Sequence, residues 1–324
     1  MFRLDDLFER AARAPKRVLF PESEDPRVLK GAAAFGARCA GEPRVLDQAS
    51  SAAANLREAG LPEDAVGVLE DAGEVRDRID AVLKEQGIEA PWRDHRLYRA
   101  AAAVRAGVVD GTVAGAVHTT AETVRAALKV IGTAEPGGIA SSSFLIETAA
   151  PTPAGDRVLA FADAGLIPDP DPETLAEIAR QTAASYRRRT GVTPRVALLS
   201  FSTKGSASHP RVERVVEAVR ILRASNPDFP YDGELQLDAA LVPEIAKRKA
   251  PGSRVAGRAN VLVFPNLDAG NLAYKTVERL GGATAVGPLF QGFAGAVNDL
   301  SRGCSERDVS FAAAVTALDA TEAS

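Results

Sequence analysis

The segment RVALLSFSTKGSASHPRVERVVEAVRILRA, residues 195–224, decides the fold class of this chain. Residues 195–201 form an apolar run of the kind that is buried in a parallel sheet. Residues 210–224 have a helical pattern, and Pro210 stands in the first turn, where proline is well tolerated. A buried strand, a polar loop and a covering helix in this order predict an α/β protein.

The same alternation extends in both directions from this segment. Further strands are predicted at residues 17–21, 44–46, 108–117, 141–146, 157–162, 235–237, 261–264 and 283–286. Further helices are predicted at residues 26–40, 120–131, 171–190 and 272–280, and Thr119 with Glu122 forms a capping-box pattern. Right-handed crossovers would join these elements into α/β layers. The length of 324 residues favours two domains, with residues 132–138 as the crossing point.

The composition describes a globular chain without a strongly basic surface. Hydrophobic residues make up 46% of the sequence, and the net charge is −4 with acidic and basic residues interspersed. This balance argues against nucleic acid as a partner. Cys39 and Cys304 are too few for a disulfide framework, and Cys and His show no metal-ligand spacing. No apolar run reaches the ~18 residues of a membrane span, so we expect a metal-free cytoplasmic protein with no membrane partner.

The segment NDLSRGCSERD, residues 298–308, carries the main chemical signal. Ser305 and Asp308 have the spacing of a helix N-terminal cap ahead of a long apolar run. A helix N-terminus beside Arg302 predicts an anion site, with a nearby carboxylate able to take a proton. The spacing equally fits a purely structural cap, with Ser301 and Arg302 as solvated loop residues.

The loop containing Ser202, Thr203, Lys204 and Gly205 is a second candidate anion site. It follows the buried strand, and α/β sheets bind ligands beyond the carboxyl ends of their strands. Its hydroxyls and lysine suit a phosphate or an acyl phosphate, although it lacks the Gly-x-x-x-x-Gly-Lys spacing of a nucleotide P-loop. An ordinary polar loop is the alternative.

Several isolated residues allow two interpretations. Arg125 lies near the start of a predicted helix, where it either binds an anion or is solvated. Cys304 shares the loop of Ser301, and an arginine beside a helix N-terminus would favour a reactive thiolate. His118 and His209 each precede a helix start, and we interpret both as structural residues.

Glu234, Gln236 and Asp238 alternate along a predicted strand and would share one face. Side chains of this kind on one face could ligate a metal. The alternative is a polar strand face at a cleft or an interface.

Four stretches of the chain resemble phosphate acetyltransferase, also called phosphotransacetylase. They are DGTVAGAVHTTAETVRAAL at 110–128, VALLSFSTKGSASHP at 196–210, DGELQLDAALVPEIAKRKAPGSRVAGRANVLVFPNLDAGNLAYK at 232–275, and GPLFQGFAGAVNDLSRGCSERD at 287–308. Together with FADAGLIPDPDPETLAEIA at 161–179, they cover most of the chain from Asp110 onward. The resemblance implies two αβα domains with a cleft between them, on a scaffold like that of isocitrate and isopropylmalate dehydrogenases. The first domain would hold residues 1–137 with 296–324 on the CoA side, and the second would hold 138–295 on the phosphate and acyl side. A homodimer is also implied.

The resemblance further implies the reaction of acetyl-CoA with phosphate to give CoA and acetyl phosphate. In this reaction CoA thiolate attacks the acetyl carbonyl directly within a ternary complex, so CoA is a substrate and no cofactor is expected. Asp308 would take the thiol proton, Ser301 would stabilise the developing charge, and Arg302 and Arg125 would bind the phosphate. The matching stretches also give five candidates for the cleft: Asn266, Asn271, Tyr274, Lys275 and Cys304.

One feature of the family has no counterpart here, namely a CoA-binding arginine in a Leu-Arg-Lys-x-x-Lys-Gly stretch. Lys84, Arg93, Arg96 or Arg99 could substitute for it in this divergent region. Three alternatives therefore stay open: a preference for propionyl or butyryl groups, a non-catalytic acetyl-CoA-binding regulatory module, and a metal-dependent dehydrogenase on a similar scaffold. The intact C-terminal motif favours an active transferase, in the cytoplasm or in a bacterial microcompartment.

Overall fold

The computed structural model describes residues 1–48 and 51–321, and the chain divides into two compact units. The terminal unit contains Asp5–Gly138 and Gly292–Ser324, and the central unit contains Met1–Leu4 and Ile139–Gln291. Each unit has its own sheet with helices between the strands, so the predicted α/β fold class is confirmed.

The terminal unit is built on a parallel sheet. Its described strands are β1 Arg17–Phe20, β2 Glu42–Asp47, β3 Gly67–Glu70, β4 Gly111–Ala114 and β11 Ala296–Asp299. Its described helices are α1 Asp6–Ala11, α2 Pro26–Cys39, α3 Ala52–Glu58, α4 Gly73–Glu85, α5 Arg96–Arg105, α6 Thr120–Val130 and α12 Glu306–Asp319, with a 3₁₀ turn at Trp92–Asp94.

The order of this terminal sheet is β11-β4-β1-β2-β3, and all its neighbouring strands are parallel. The chain leaves β1 toward β2 and β3 on one side, whereas β4 and β11 lie on the other side. The direction of winding therefore changes between β1 and β4. The carboxyl ends of strands at such a switch point border the usual ligand crevice of an α/β sheet.

The central unit contains a mixed sheet. Its described strands are β5 Ser141–Glu147, β6 Val158–Ala162, β7 Val196–Leu199, β8 Tyr231–Leu235, β9 Val261–Val263 and β10 Thr284–Gln291. Its described helices are α7 Pro172–Thr190, α8 Pro210–Ala224, α9 Leu237–Leu241, α10 Pro243–Lys249 and α11 Leu267–Gly281. The order is β10-β5-β6-β9-β7-β8, with antiparallel pairing of β5 to both β10 and β6 and parallel pairing elsewhere.

The strand and helix that decide the fold class are confirmed. Every residue of β7 is buried, and β7 pairs in parallel with both β8 and β9. The predicted helix at residues 210–224 coincides with α8. The predicted strand at 108–117 shortens to β4, because the Asp110 carboxylate turns to accept from the Arg17 backbone N–H at 2.7 Å and pairs with its guanidinium at 2.9 Å.

The expectation that Glu234, Gln236 and Asp238 share one strand face is wrong. β8 ends at Leu235, Gln236 precedes α9, and Asp238 lies within α9. Asp238 forms an ion pair with Lys249 at 2.9 Å. The alternation of polar residues predicted a strand because a short helix of five residues offers too little periodicity to compete with it.

The strand β11 is absent from the sequence prediction, which assigns Asn298 and Asp299 to a loop. This four-residue strand follows a glycine-rich stretch and gives little periodic signal of its own. Its pairing with β4, from Ala296 opposite Gly111 to Asp299 opposite Ala114, makes it a strand. The short strand β3 and the helices α1, α3, α4, α5, α9 and α10 are also absent from the prediction.

The last helix, α12, is buried on every side. All residues from Val309 to Leu318 are buried, and the Phe311 ring lies 4.9 Å from the ring of Phe8 in α1. A Cβ added at Gly31 of α2 would lie 2.4 Å from the Cβ of Val309, so the close crossing of α2 and α12 requires glycine there. A helix that is apolar all round is expected in a core. Its burial anchors the N-terminus of α12 in the terminal unit.

A buried ion pair joins the end of β3 to α4 and α5. The Arg99 side chain is 1% exposed, and its guanidinium contacts Asp71, which is 2% exposed. It also donates to Asp80 Oδ1 at 2.8 Å. A buried guanidinium depends on such acceptors, so Arg99 is engaged in the fold and is excluded as a substitute for the CoA-binding arginine.

We predict that Arg99→Met lowers the free energy of unfolding by about 3–5 kcal/mol, because it leaves the Asp71 carboxylate buried without its partner. Chemical denaturation measures this loss. Arg57→Met is the matched control, since it breaks an exposed pair with Glu63 and should cost less than about 1 kcal/mol. Equal losses in the two variants would contradict a special role for the buried pair.

Candidate functional site

Three loops lie at the carboxyl edge of the terminal sheet, one after each of β1, β4 and β11. We call residues 21–25, 115–119 and 300–305 together the terminal edge. Each loop leads into a helix, and the caps of α2, α6 and α12 are Asp25, Thr119 and Ser305. The N-terminus of each helix carries partial positive charge, which favours an anion beside it.

The guanidinium of Arg27 ties these loops together. It pairs with Asp25, the cap of its own helix α2, at 2.6 Å and donates to the carbonyl of Ala116 at 3.1 Å. It also donates to the carbonyls of Arg302 at 2.8 Å and Cys304 at 3.0 Å. The backbone of Arg302 and the loop before α6 are therefore held by one group. Sequence reasoning missed this role because the acceptors lie 89 to 277 positions away.

Glu22 occupies the switch point between β1 and β4 and is 1% exposed. Its Oε2 accepts from the Ala116 N–H at 2.8 Å, and its Oε1 accepts from the N–H groups of Val117 at 3.1 Å and His118 at 2.9 Å. Oε1 also lies 2.7 Å from His118 Nδ1. Burial acts to raise the pKa of Glu22, but the hydrogen bonds from His118, Val117 and Ala116 outweigh it and lower the pKa. The carboxylate is therefore a fixed negative charge at neutral pH.

Asp299, the last residue of β11, is a second buried carboxyl group beside this crevice. It is 1% exposed and its Oδ2 accepts from Thr120 Oγ1 at 2.5 Å. Burial raises the pKa of Asp299 to about 7, the hydrogen bonds of Thr120 and Thr123 oppose this rise, and the charge of Glu22 adds to it. A Cβ added at Gly115, where φ is +101°, would lie 2.2 Å from Asp299 Oδ1, so this close approach requires glycine.

The predicted cap at the start of α12 is confirmed. Ser305 Oγ accepts from the Asp308 N–H at 3.3 Å, and Asp308 Oδ2 accepts from the N–H and hydroxyl of Ser305 at 2.8 and 2.9 Å. Ser301 and Arg302 precede this cap and are exposed, and Ser301 Oγ accepts from the Gly303 N–H at 3.2 Å. Within residues 1–48 and 51–321, the Arg302 guanidinium has no hydrogen bond or ion pair, so its charge is available to a ligand.

The expectation of a reactive thiolate at Cys304 is wrong. The side chain is 5% exposed, and burial raises the pKa of its thiol to about 11. The charge of Arg27 opposes this rise, whereas the charge of Asp308 adds to it. The thiol is therefore protonated at neutral pH, and Cys304 acts as a small core residue.

Arg125 is exposed on α6, the helix whose predicted capping box between Thr119 and Glu122 is confirmed. Burial raises the pKa of Tyr98 in α5, and the nearby charge of Arg125 opposes this rise. The exposed charge of Arg125 therefore acts on Tyr98 in α5.

Three side chains could still replace the CoA-binding arginine after the exclusion of Arg99. Arg96 pairs with Glu24, and Arg93 Nε donates to the carbonyl of Ile88 at 2.6 Å. Lys84 is exposed near the end of α4, and in the described ranges its ammonium group has no acidic partner. Lys84 is therefore the substitute whose charge is least committed to the fold.

The predicted phosphate loop of the central unit is closed by its own hydrogen bonds. Its acceptors and donors lie at the end of β8 and in the turn that follows. Glu234 Oε1 accepts from Ser202 Oγ at 3.0 Å and from the Gly205 N–H at 2.7 Å. Lys204 Nζ donates to the Gly233 carbonyl at 2.7 Å and pairs with Asp232. Thr203 Oγ1 accepts from the Gln236 N–H at 2.9 Å. Phosphate binding by this loop stays a prediction, and it would compete with these contacts.

Four of the five cleft candidates lie on α11 or at its cap in the central unit, whereas Cys304 belongs to the terminal unit. Each of the four has a contact within the central unit. Asn266 Oδ1 accepts from the Ala269 N–H at 3.0 Å, and Asn271 Nδ2 donates to the Ala164 carbonyl at 3.2 Å. The Tyr274 ring stacks on the Phe144 ring with 4.0 Å between the ring centres, and Lys275 Nζ lies 5.1 Å from the Tyr274 ring centre. Their roles toward a ligand stay predictions.

A cavity of about 800 Å³ in the central unit lies apart from these residues. Its lining includes Arg195, Lys247 and Arg258, but none of the predicted site residues. Arg195 already pairs with Asp156, which also lines the cavity. The cavity therefore gives no support to a phosphate site at the predicted loop.

Metal clusters and membrane spans are both absent from the described part of the chain. No group of three or more His, Cys, Asp or Glu residues within 1–48 and 51–321 could hold a metal ion. Over the same residues, no helix combines the length and the apolar character needed to cross a bilayer.

The parallel sheet and its switch point define an α/β scaffold of the kind that binds ligands beyond the carboxyl ends of its strands. Comparison with protein families gives the more particular assignment. The family model described as "Phosphate acetyl/butaryl transferase" matches residues 2–317. The chain belongs to this family and is an acyltransferase.

Individual relatives agree with this assignment. The phosphate acetyltransferase of Paracoccus denitrificans is 45% identical over 320 residues, which cover 97% of this chain and 98% of the relative. A phosphotransacetylase structure from Streptococcus pyogenes aligns with a TM-score of 0.87 and 37% identity over 99% of each chain. The EutD phosphotransacetylase structure from Staphylococcus aureus aligns with a TM-score of 0.87 and 36% identity over 98% of each chain. The resemblance found in the four sequence stretches is therefore confirmed.

We predict that Asp299→Asn changes the pH dependence of stability. The folded pKa of Asp299 is about 7 and its ordinary value is 3.8, so the unfolded chain releases this proton at lower pH than the folded protein does. The free energy of unfolding of the natural protein therefore falls, through this group, as the pH rises from about 4 to about 7, by on the order of a few kcal/mol.

Asn cannot titrate, so the variant should lack this fall. Urea denaturation of both proteins between pH 4.5 and pH 8 measures the difference in their free energies of unfolding. As the pH rises to about 7, the variant should gain stability relative to the natural protein. Above about pH 7 the difference in their free energies of unfolding should stay constant. A constant difference across the whole range would mean that Asp299 is already ionised in the folded protein at low pH.

Proposed function

We propose that this chain catalyses the reversible transfer of an acetyl group between CoA and phosphate. The observation that carries the proposal is the exposed guanidinium of Arg302, which stands at the N-terminus of α12 without a charge partner in the described residues. A dianionic phosphate would gain a charge-assisted hydrogen bond and the favourable end of the helix dipole at this position. The full-length likeness to phosphate acetyltransferases supports acetyl, CoA and phosphate as the reactants.

Asp308 is the proposed base. During acetyl-CoA formation the CoA sulfur attacks the acetyl carbonyl, and the bond between the carbonyl carbon and the phosphate oxygen breaks. A thiol with a pKa near ~8.5 is mostly protonated at neutral pH, so a positioned base accelerates the attack by about 10²–10⁴-fold. Both hydrogen bonds from Ser305 go to Asp308 Oδ2, which leaves Oδ1 for the thiol proton.

Ser301 and the two exposed arginines complete the proposed site. The Ser301 hydroxyl accepts from the Gly303 N–H and keeps its own hydrogen for the oxyanion of the tetrahedral intermediate. Arg302 and Arg125 would hold the phosphate and stabilise its charge as it leaves. The proposal includes acetyl as the preferred acyl group, no metal or cofactor, a homodimer and a cytoplasmic location.

Release of free CoA from acetyl-CoA tests the proposed function. We expect rapid release that depends on phosphate or arsenate, continues in the presence of a chelator, and is faster with acetyl-CoA than with propionyl- or butyryl-CoA. One methylene changes transition-state binding by about 1–3 kcal/mol, so the preference should be measurable. A colorimetric thiol reagent follows the product, and omission of phosphate is the control.

The same assay separates the other hypotheses. Faster release from butyryl-CoA would change the assigned acyl group. Acetyl-CoA binding without release of CoA from any substrate would favour a regulatory module. Activity that required a nicotinamide cofactor and was lost with a chelator would favour a dehydrogenase.

We predict that Asp308→Asn lowers turnover by about 10²-fold or more, while CoA binding changes little, because the base acts in the reaction step. Ser305→Ala is the matched control, since it breaks the same cap and leaves the carboxylate in place at a cost of about 1 kcal/mol in stability. Initial rates and the KM for CoA of both variants give the comparison. Similar turnover in the two variants would restrict Asp308 to its capping role.

A further inference from the structure

The pair formed by Glu22 and His118 has no part in the proposed mechanism, although it lies at the switch point of the terminal sheet. The carboxylate of Glu22 is enclosed by three backbone N–H groups, and its side chain is 1% exposed. The His118 side chain is 17% exposed and covers the carboxylate. The buried carboxylate of Glu22 therefore lies behind the partly exposed imidazole of His118.

This contact fixes which nitrogen of the neutral imidazole carries the proton. Nδ1 lies 2.7 Å from Glu22 Oε1, and an ionised carboxylate can only accept a hydrogen bond. Nδ1 is therefore the donor, and Nε2 of the neutral ring presents a lone pair. Within residues 1–48 and 51–321, His118 Nε2 has no hydrogen-bond partner. A carboxylate that holds one ring nitrogen so that the other can exchange a proton is the arrangement found in Ser-His-Asp triads.

The His118 loop lies beside the proposed phosphate-binding loop. The guanidinium of Arg27 donates to the carbonyls of Ala116 and Arg302, at 3.1 and 2.8 Å. Ala116 is two residues before His118, and Arg302 carries the exposed guanidinium proposed to bind phosphate. His118 also comes directly before Thr119, the cap of α6, and so stands at a helix N-terminus that favours an anion.

The phosphate side of the reaction needs a proton that Asp308 does not supply. When the carbon–oxygen bond of an acetyl phosphate dianion breaks, phosphate would leave as the strongly basic trianion unless its oxygen is protonated. In the opposite direction, HPO₄²⁻ must lose its proton as its oxygen attacks the carbonyl of acetyl-CoA. A general acid and base near the phosphate lowers both barriers, typically by about 10²–10⁴-fold.

We propose that His118, oriented by Glu22, exchanges this phosphate proton. The proposal rests on the proposed function. In acetyl-CoA formation, the thiol proton goes to Asp308 and protonated Nε2 of His118 donates its proton to the departing phosphate oxygen, which leaves as HPO₄²⁻. Asp308 then releases its proton to water and His118 takes one up. In acetyl phosphate formation, Asp308 first takes a proton from water. Neutral Nε2 of His118 removes the proton of HPO₄²⁻ during attack, Asp308 protonates the departing CoA sulfur, and His118 then returns its proton to water.

Other charged groups surround His118. Glu22 faces it from the loop before α2, and Glu122 acts on it from the first turn of α6. The His95 ring, at the start of α5, lies 5.2 Å from the His118 ring. Burial lowers the pKa of His95, and the charge of His118 lowers it further. These neighbours are therefore two carboxylates and an imidazole whose pKa is lowered.

His118→Asn tests the proposal, because the amide of Asn can donate to Glu22 as Nδ1 does but cannot exchange a proton. We expect turnover to acetyl phosphate to fall by about 10²-fold or more, with a small change in the KM for phosphate. The pH–rate profile of the variant should differ from that of the natural protein, because the variant lacks one proton-exchanging group. Matched thermal midpoints of the two proteins would show that the variant is folded.

His209→Asn is the matched control. His209 caps α8 in the central unit through Nδ1, which accepts from the Arg211 N–H at 3.1 Å, and Asn is a good cap. Its turnover and pH–rate profile should match those of the natural protein. A purely structural role for His118 would leave turnover near normal, or would lower it with the pH–rate profile of the natural protein retained, and either result overturns the proposal. Absence of phosphate-dependent CoA release in the natural protein would instead overturn the proposed function.

Discussion

The contacts of the Arg27 guanidinium are the constraint on which the arrangement of the terminal edge depends. One planar group with several fixed donors reaches carbonyls in two loops and a carboxylate in the loop before its own helix. The loops follow β1, β4 and β11. The carbonyls that Arg27 contacts in the last two loops lie 89 to 277 positions from Arg27 along the chain. A lysine could not satisfy these acceptors in one geometry. The positions of Arg302 and the His118 loop therefore depend on Arg27.

The terminal edge also shows how hydrogen bonding decides the charge of a buried acid. Glu22 and Asp299 are both 1% exposed, yet their pKa values move in opposite directions. Three amide donors and one imidazole stabilise the ionised form of Glu22. Asp299 has threonine hydroxyls as donors and the negative charge of Glu22 nearby, so burial dominates. Opposite shifts in neighbouring carboxyl groups give this edge one fixed charge and one acid whose pKa lies near neutral pH.

The capping box of α12 reconciles the two interpretations of Asp308. The cap uses Oδ2, so the structural role and a role in proton transfer require different oxygens of one carboxylate. The cap also keeps the carboxylate at the start of a helix that is buried from Val309 to Leu318. A rigid core helix thus holds the charged loop before it, which is how a site obtains precise geometry from an exposed segment.

The sequence by itself determined the α/β class, most of the long helices and the caps of α6 and α12, because periodicity and capping are local properties. It also determined the family, through motifs that keep their residues in order. Only the tertiary structure decided that β11 is a strand and that Gln236 and Asp238 do not share a strand face with Glu234. It also decided that the Cys304 thiol is buried and protonated. The roles of Arg27, Glu22 and Asp299 were likewise decided by contacts between distant segments. Burial and partners across a sheet set these properties, and neither is encoded in local spacing.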